Sequence, residues 1–445
     1  MQHSHDALDR PGGLARGNLL TPLRHRDFRV LWLGLAVSLV GDGIFLVAVA
    51  WESYALWNAP AALSIVGIAM TVPTVAFLLL GGVVSDRRDR RWVMAYADSV
   101  RASAVAALAV LVLTGTLRFW ELAVLVGVYG VGTAFFTPAF EAIVPELLPA
   151  DDLARANSLD QFVRPIAMRL AGPTLGGVLV AASPGLAFVI DGASFWASTV
   201  AVLLLRQRAE RMATAHPSAG AALREGLRFV RARVWLWGTL VSAAIAYLLF
   251  LGPTEVLLPY VVKNDLHGSA ATLGLVLAAG GVGAVGAAVW MGWHAHPRRE
   301  MTVMYATWTL ATFAIAGYGL STAAWQLMIT CLVFNALEAA GTIVWATMKQ
   351  RHVPAAMLGR VSSLDWLISI GLLPVSFALT GPVAGAIGAR ATLVGAAVLG
   401  GGITLAAFFL PGMRALEDER SISSTTSGSR EPWPRAARDL APGPR

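Results

Sequence analysis

Charge is scarce in this chain. Aspartate, glutamate, lysine and arginine make up 14% of its 445 residues, where an average soluble domain carries roughly a quarter. That scarcity excludes an ordinary water-soluble fold. Cysteine is scarcer still: Cys331 stands alone, so no intrachain disulfide forms and the redox compartment is not legible. No Gly-rich loop ends in Lys-Ser or Lys-Thr, so an ATP phosphate cradle of that kind is missing. His294 and His296 have no acid or cysteine beside them in a ligand pattern, so they read as loop histidines, with neither a metal nor a cofactor expected. The N-terminus is polar up to Leu23 and lacks an early apolar core with a small-residue cleavage site, so no removable signal peptide is expected.

What the chain has in abundance is apolar length. Hydrophobic residues make up 56% of it, and mean hydropathy is +0.63. They fall in unbroken runs, and a run of about 20 residues is what a helix needs to cross the roughly 30 Å hydrocarbon layer. A β-barrel would instead show alternation over about ten residues. The expected fold class is therefore all-α integral membrane, with twelve transmembrane helices from Phe28 to Trp51 through Ala391 to Phe409. The seventh, Val234 to Val261, is expected to be tilted or irregular around Gly252 and Pro253.

The net charge of +7 would suggest nucleic acid in a soluble protein. Here the arginines cluster in loops between apolar runs, so no nucleic-acid partner is expected, and the lipid bilayer is the partner surface. Arg24, Arg26 and Arg29 precede the first run, Arg87, Arg88, Arg90 and Arg91 follow the second, and more lie between Arg206 and Arg233. The alternate loops, such as 58–61 and 183–184, are nearly bare. Both termini are therefore expected in the cytoplasm. Trp51, Trp57, Trp92, Trp120, Trp293 and Trp325 fall near run ends, which suits the interfacial belt, although core packing would serve as well.

The longest internal polar link divides the spans six and six. The expected organisation is an N-terminal segment 1–23, a first lobe 24–205, a linker 206–233, a second lobe 234–412 and a disordered tail 413–445. Within the linker, Leu223, Leu227, Val230 and Val234 with Arg224, Arg228 and Arg231 between them read as an amphipathic helix on the membrane surface. Residues 148–160 and 353–365 match at Pro, Ala, Leu, Arg, Ser, Leu and Asp. Each copy leads into the fifth helix of its half, where Gly172-Pro173 and Gly381-Pro382 follow. Such duplication commonly builds alternating-access transporters with a site near mid-membrane.

The segment Gly82 to Arg91, with Asp86, Arg87, Arg90 and Arg91, resembles the signature loop between helices 2 and 3 of the major facilitator superfamily. Asp89 replaces the second glycine of that pattern, and the equivalent loop Gly292 to Arg299 is degraded, with His296 at the acidic position. The opening from Leu23 through Gly34, followed by Gly41-Asp42, resembles the bacterial drug-efflux branch that includes the enterobactin exporter and macrolide exporters. The resemblance covers about residues 20–412. It implies two pseudo-symmetric six-helix lobes in a bacterial cytoplasmic membrane. It also implies a conformational latch in which Asp86 lies near the start of helix 11 and Arg90, beside Arg91, meets an acid of helix 4, for which Glu141 is the candidate. A topology-setting loop is the alternative. Gly172, Pro173, Gly176 and Gly177 resemble the core of the helix 5 segment of proton-linked antiporters, although its earlier glycines are missing. Packing alone is the other explanation of these four residues.

Charges inside apolar runs are the remaining candidates. Asp42 and Glu338 lie near the midpoints of spans 1 and 10, where a lipid-facing carboxylate costs about 2.5 to 3.5 kcal/mol. The resemblance places helices 1 and 10 on the central cavity. Either acid could take up a proton, attract a cationic substrate, or make a structural hydrogen bond, and Asn335 falls nearly one turn before Glu338. Arg169 needs a carboxylate or an anionic ligand, with Asp42 or Asp191 as candidates. Asp160 with Arg164, and Asp98 with Arg101, have pairing spacing. The function expected is export of a small hydrophobic or amphipathic substrate by a monomer, coupled to protons. The alternatives are a facilitator, importer or lipid-like solute transporter, a receptor or scaffold, and a membrane enzyme. The enzyme is disfavoured by the missing metal set.

Overall fold

A computed structural model describes residues 20–206, 219–294, 297–415 and 417. The end segments 1–19 and 418–445, most of the linker's first half and His296 lie outside the described residues. Regular structure in the described residues is helical throughout. The first set comprises α1 (Arg26–Leu56), α2 (Ala61–Arg87), α3 (Arg90–Leu113), α4 (Phe119–Leu147), α5 (Ala150–Pro165), α6 (Gly172–Ala182) and α7 (Pro184–Leu203). A π-helical turn, Ile166–Ala171, joins α5 to α6. After the surface helix α8 (Ala219–Arg231) come α9 (Val234–Tyr260), α10 (Ala270–Trp293), α11 (Glu300–Ala314), α12 (Ala316–Leu320) and α13 (Ala324–His352). The last described helices are α14 (Ala355–Gly371), α15 (Leu373–Ile387) and α16 (Ala389–Phe408).

Eleven helical stretches among the described residues are long and apolar enough to cross a bilayer, and Leu373–Ile387 is apolar but shorter. The expectation of twelve membrane-length spans is thus altered at one place. The helix opened by the second repeat copy is split at Leu372, between Gly371 and Pro374, so its apolar part is only α15. The helix opened by the first copy is interrupted by the π-helical turn beginning right after Pro165. Proline removes a backbone donor and forces this kind of adjustment.

Outward faces are apolar, as a lipid solvent requires: Leu79 is 80% exposed and Val178 61%. Trp57, Trp92, Trp120, Trp293 and Trp325 are exposed at helix ends, while Trp51 is half-buried beneath Lys263. Within the first set α2 packs on α4, α3 on α4 and α7, and α1 on α6 and α7; within the second, α10 packs on α13, α11 on α13 and α16, and α9 on α15 and α16. Gly130, whose Cβ would press on Thr74 and the Met70 backbone, and Gly132, against Arg101 and Ala97, let these helices approach closely.

The surface helix does not simply lie on the bilayer. Glu225 pairs with Arg360 at 2.7 Å, Gly226 packs against Arg360, and Val230 is buried, so α8 is docked on α14.

Candidate functional site

The two helix sets meet at mid-depth and at the face opposite the basic loops. Near that opposite face, Tyr54 donates to the Val256 carbonyl at 2.6 Å, and its ring stands edge-on to Tyr260. Lys263 lies over the Trp51 ring at 5.0 Å. Phe377 of α15 presses on Gly67, and Gly381 on Ala61, both in α2. Deeper, a Cβ on Gly177 of α6 would lie 2.8 Å from the Gly274 Cα of α10, a backbone-to-backbone crossing that only small residues allow.

At mid-depth the π-helical turn presents Arg169. Its Nη1 donates to Asn335 Oδ1 at 3.1 Å and lies 3.4 Å from Glu338 Oε2, both on α13. Thr342 donates to the other Glu338 oxygen at 3.1 Å. Asn335 is itself oriented, donating to the Cys331 carbonyl at 2.9 Å. The backbone of Arg169 leans on Gly281 of α10, where a Cβ would fall 2.6 Å from its carbonyl carbon. Three of the sequence candidates thus form one bridge between the helix sets. The expected acid partner of Arg169, Asp42 or Asp191, is corrected to Glu338, because both aspartates turn into the first set. The Arg169 side chain is 48% exposed, so a group that would be expelled from hydrocarbon stands in an open space between the helix sets. Beside Glu338 a small cavity of about 40 Å³ extends among α9, α11, α13 and α16, with Tyr247, Phe250, Trp308 and Phe334 in its wall.

Asp42 lies elsewhere. Tyr129 of α4 donates to its Oδ1 at 2.5 Å, and the Tyr129 ring stacks on Phe45. The pairs Asp98 with Arg101 and Asp160 with Arg164 are both present, the first buried.

The basic loop also differs from expectation at one partner. Arg90 meets Glu146, in the last turn of α4, and donates to the Ala142 carbonyl at 2.8 Å. Glu141, the expected partner, lies more than a turn deeper, among Arg164 and Asp160. The α3 start reaches only the end of α4, which is why the later acid wins. Arg91 donates to the Leu203 carbonyl at 3.0 Å, and Asp89 caps α3 by accepting from the Arg91 N–H at 2.9 Å. The Asp89 replacement therefore makes the turn as a helix cap, a sound substitute for glycine. Asp86 is exposed. Gly172 packs on Gly43 and Gly176 on Ile44 and Val47 of α1, Pro173 touches Gly43, and Gly177 faces α10. The helix 5 motif is a two-sided packing surface.

Sequence reading passed over Glu146 and gave Asp191 no site role. Asp191 is wholly buried inside an apolar run, the same signal that singled out Asp42 and Glu338.

This arrangement, a charged bridge at mid-depth between two sets of membrane-length apolar helices, is that of a multi-spanning membrane protein. The chain belongs to the transmembrane secretion effector family, matched over residues 18–435, and has the major facilitator fold. It is 22% identical to macrolide efflux protein A of Streptococcus pyogenes, covering 81% of this chain and 90% of that one. Identity to the multidrug efflux pump Tap of Mycolicibacterium fortuitum is 28%, over 85% and 94% of the two chains. A crystal structure of a bacterial homologue of the human lysosomal transporter Spinster superposes with a TM-score of 0.64 at 14% identity, over 90% of this chain and 99% of that one. The protein is thus a bacterial multi-pass membrane transporter of the efflux type that moves small molecules.

Proposed function

We propose that this transporter is a secondary active exporter of hydrophobic or amphipathic compounds, working by proton antiport and alternating access. Twelve helices act as two related six-helix lobes, residues 24–205 and 234–412, with the split α14–α15 counted as one crossing. The basic face is cytoplasmic, and both termini lie there.

One observation carries the reading: the half-exposed Arg169 of the first lobe bonded to Asn335 and Glu338 of the second at mid-depth. A link of this kind can break when a substrate competes for either charge, and rocking of the lobes then changes which face the space opens to. The close contacts at the bare face and the exposed Asp86 at the basic face support a cytoplasm-open state. Asp86 then acts as half of a latch that engages the start of the eleventh crossing, α14–α15, when the cytoplasmic face closes, with Arg90 and Arg91 holding its loop to α4 and α7. Glu141 remains in this region as a second acid near Arg164. The substrate class follows the macrolide and multidrug exporters that the chain resembles.

The test is reconstitution of the purified protein in liposomes with a macrolide and a hydrophobic dye as probes, with and without an imposed pH gradient. Accumulation that follows the gradient is expected; flux indifferent to it would remove the antiport reading. Asp86→Asn should lower transport severalfold with insertion intact, and unchanged transport would remove the latch.

A further inference from the structure

The first helix set encloses an ionic cluster that the Arg169 bridge does not touch. Asp98 and Arg101 of α3 pair with each other, and both are buried. The Arg101 guanidinium lies 4.4 Å from the ring centroids of both Phe136 and Phe195. Asp42 of α1 receives the Tyr129 hydroxyl. Asp191 of α7 is wholly buried; Ser194 donates to its main-chain carbonyl at 2.7 Å and lies 3.4 Å from its Oδ1. The second oxygen, Oδ2, accepts no hydrogen bond.

The two helices touch at this level. A Cβ on Gly41, the residue before Asp42, would fall 2.5 Å from Asp191 Oδ1 and 2.9 Å from Ser194 Cβ. Asp42 and Asp191 act on each other electrostatically, and Arg101 acts on both. The other charged or titratable groups facing them are Asp98 from α3, Tyr129 from α4 and, for Asp42, Arg164 from α5. Of the other helices against α1, α6 and α10 carry no titratable side chain, the π-helical turn carries Arg169, which is bonded to α13, and α2 and α9 carry Asp86, Arg87, Tyr247, Glu255 and Tyr260. Three carboxyls therefore surround one close guanidinium, and Asp98 already holds it. Two adjacent carboxylates with little water and no cation of their own repel each other, and one shared proton relieves that repulsion.

We propose that Asp42 and Asp191 form a two-carboxyl site that binds and releases the transported proton. This rests on the antiport reading and assigns its proton site. One carboxylate oxygen takes a proton from hydronium on the outer side, whose O–H bond breaks to leave water; the carboxyl O–H bond breaks in turn, passing the proton to a cytoplasmic water as hydronium, when α1 shifts against α7. Glu338 and Arg169 are left to handle the substrate, so proton and substrate occupy different sites joined by α1.

The test uses the full chain in liposomes, with two measurements on wild type, Asp191→Asn and Asp191→Glu. The first is exchange of labelled for unlabelled macrolide without a gradient; the second is macrolide accumulation driven by a pH gradient. Asp191→Asn should keep exchange and lose gradient-driven accumulation at least tenfold. Asp191→Glu, which keeps the carboxyl, should recover much of it. Full gradient-driven accumulation in Asp191→Asn would overturn the two-carboxyl site. Equal loss in the Asn and Glu variants would assign the position to packing and also overturn it. Wild type that exchanges macrolide but ignores the gradient would overturn the antiport reading itself.

Discussion

A guanidinium stays charged at any pH a cell experiences, so what Arg169 faces decides what that part of the membrane path can hold. It faces an amide and a carboxylate on one helix, and its fork supplies both bonds from a single nitrogen. Replacing Glu338 by Gln removes the charged partner of a charge-assisted bond worth about 1.5 to 3 kcal/mol. That should change transport by about tenfold or more, read as macrolide flux in liposomes, while Asn335→Asp, which adds a carboxylate, should keep the bridge. A second residue, Asp152, ties the chain's entry to the repeat: it meets His25 at 3.1 Å and Arg155 at 2.8 Å. The Arg155 and His25 bonds hold the Asp152 carboxyl below the usual aspartate range. A carboxyl lowered in the folded state stabilises above its ordinary value, near about 3.9, and that contribution is lost as pH falls through the lowered one. Asp152→Asn should therefore narrow the difference in melting temperature between neutral and acidic pH, by a degree or so at most, because both partners, His25 and Arg155, keep about a third of their side-chain surface in solvent. An unchanged pH profile would contradict the tie.

At the scale of elements, one interrupted helix does two jobs. The π-helical turn Ile166–Ala171 aims Arg169 at α13, and the glycines that follow let α6 lie against α1 on one side and α10 on the other. Valine at Gly177 would meet the Gly274 Cα and the Ala270 carbonyl at under 3 Å, an overpacking that costs about 1 to 3 kcal/mol. Gly177→Val should therefore weaken closure at the bare face, seen as faster labelling of introduced cysteines there, and slow transport severalfold. The duplicated segments show how the same residues serve differently in each copy. Asp160 pairs with Arg164 along its own helix, whereas Asp365 accepts from Trp345 at 3.0 Å and pairs with Lys349, both on α13. The likeness of the two segments was visible in the sequence, but their partners were not, because those depend on which helix lies alongside.

Across the whole molecule, the contacts between helix sets are concentrated at mid-depth and at one face, which makes them sensitive to the access state. A Cβ on Gly381 would lie 3.1 Å from Ala61 Cβ, close to the separation of about 3.5 to 4.5 Å that a disulfide requires. With Cys331 replaced by serine, the pair Ala61→Cys and Gly381→Cys should cross-link under oxidant and stop transport, with recovery on reduction. Cross-linking without any loss of transport would show that the two faces need not part during the cycle.

The apolar runs by themselves determined that the chain is helical and crosses the membrane many times, because a hydrocarbon layer of about 30 Å allows only helices or a closed barrel, and unbroken runs lack the alternation of a barrel. They also marked Asp42, Glu338 and Arg169 as residues needing shelter, since the cost of a charge in lipid does not depend on the fold. Tertiary structure alone decided the partners. It sent Arg169 to Glu338, Arg90 to Glu146 and Asp42 to Tyr129, and it brought Asp191 beside Asp42. Those pairings join residues up to 169 positions apart, and they follow from the crossing of glycine-lined helices, a relation in space that no local pattern of residues encodes.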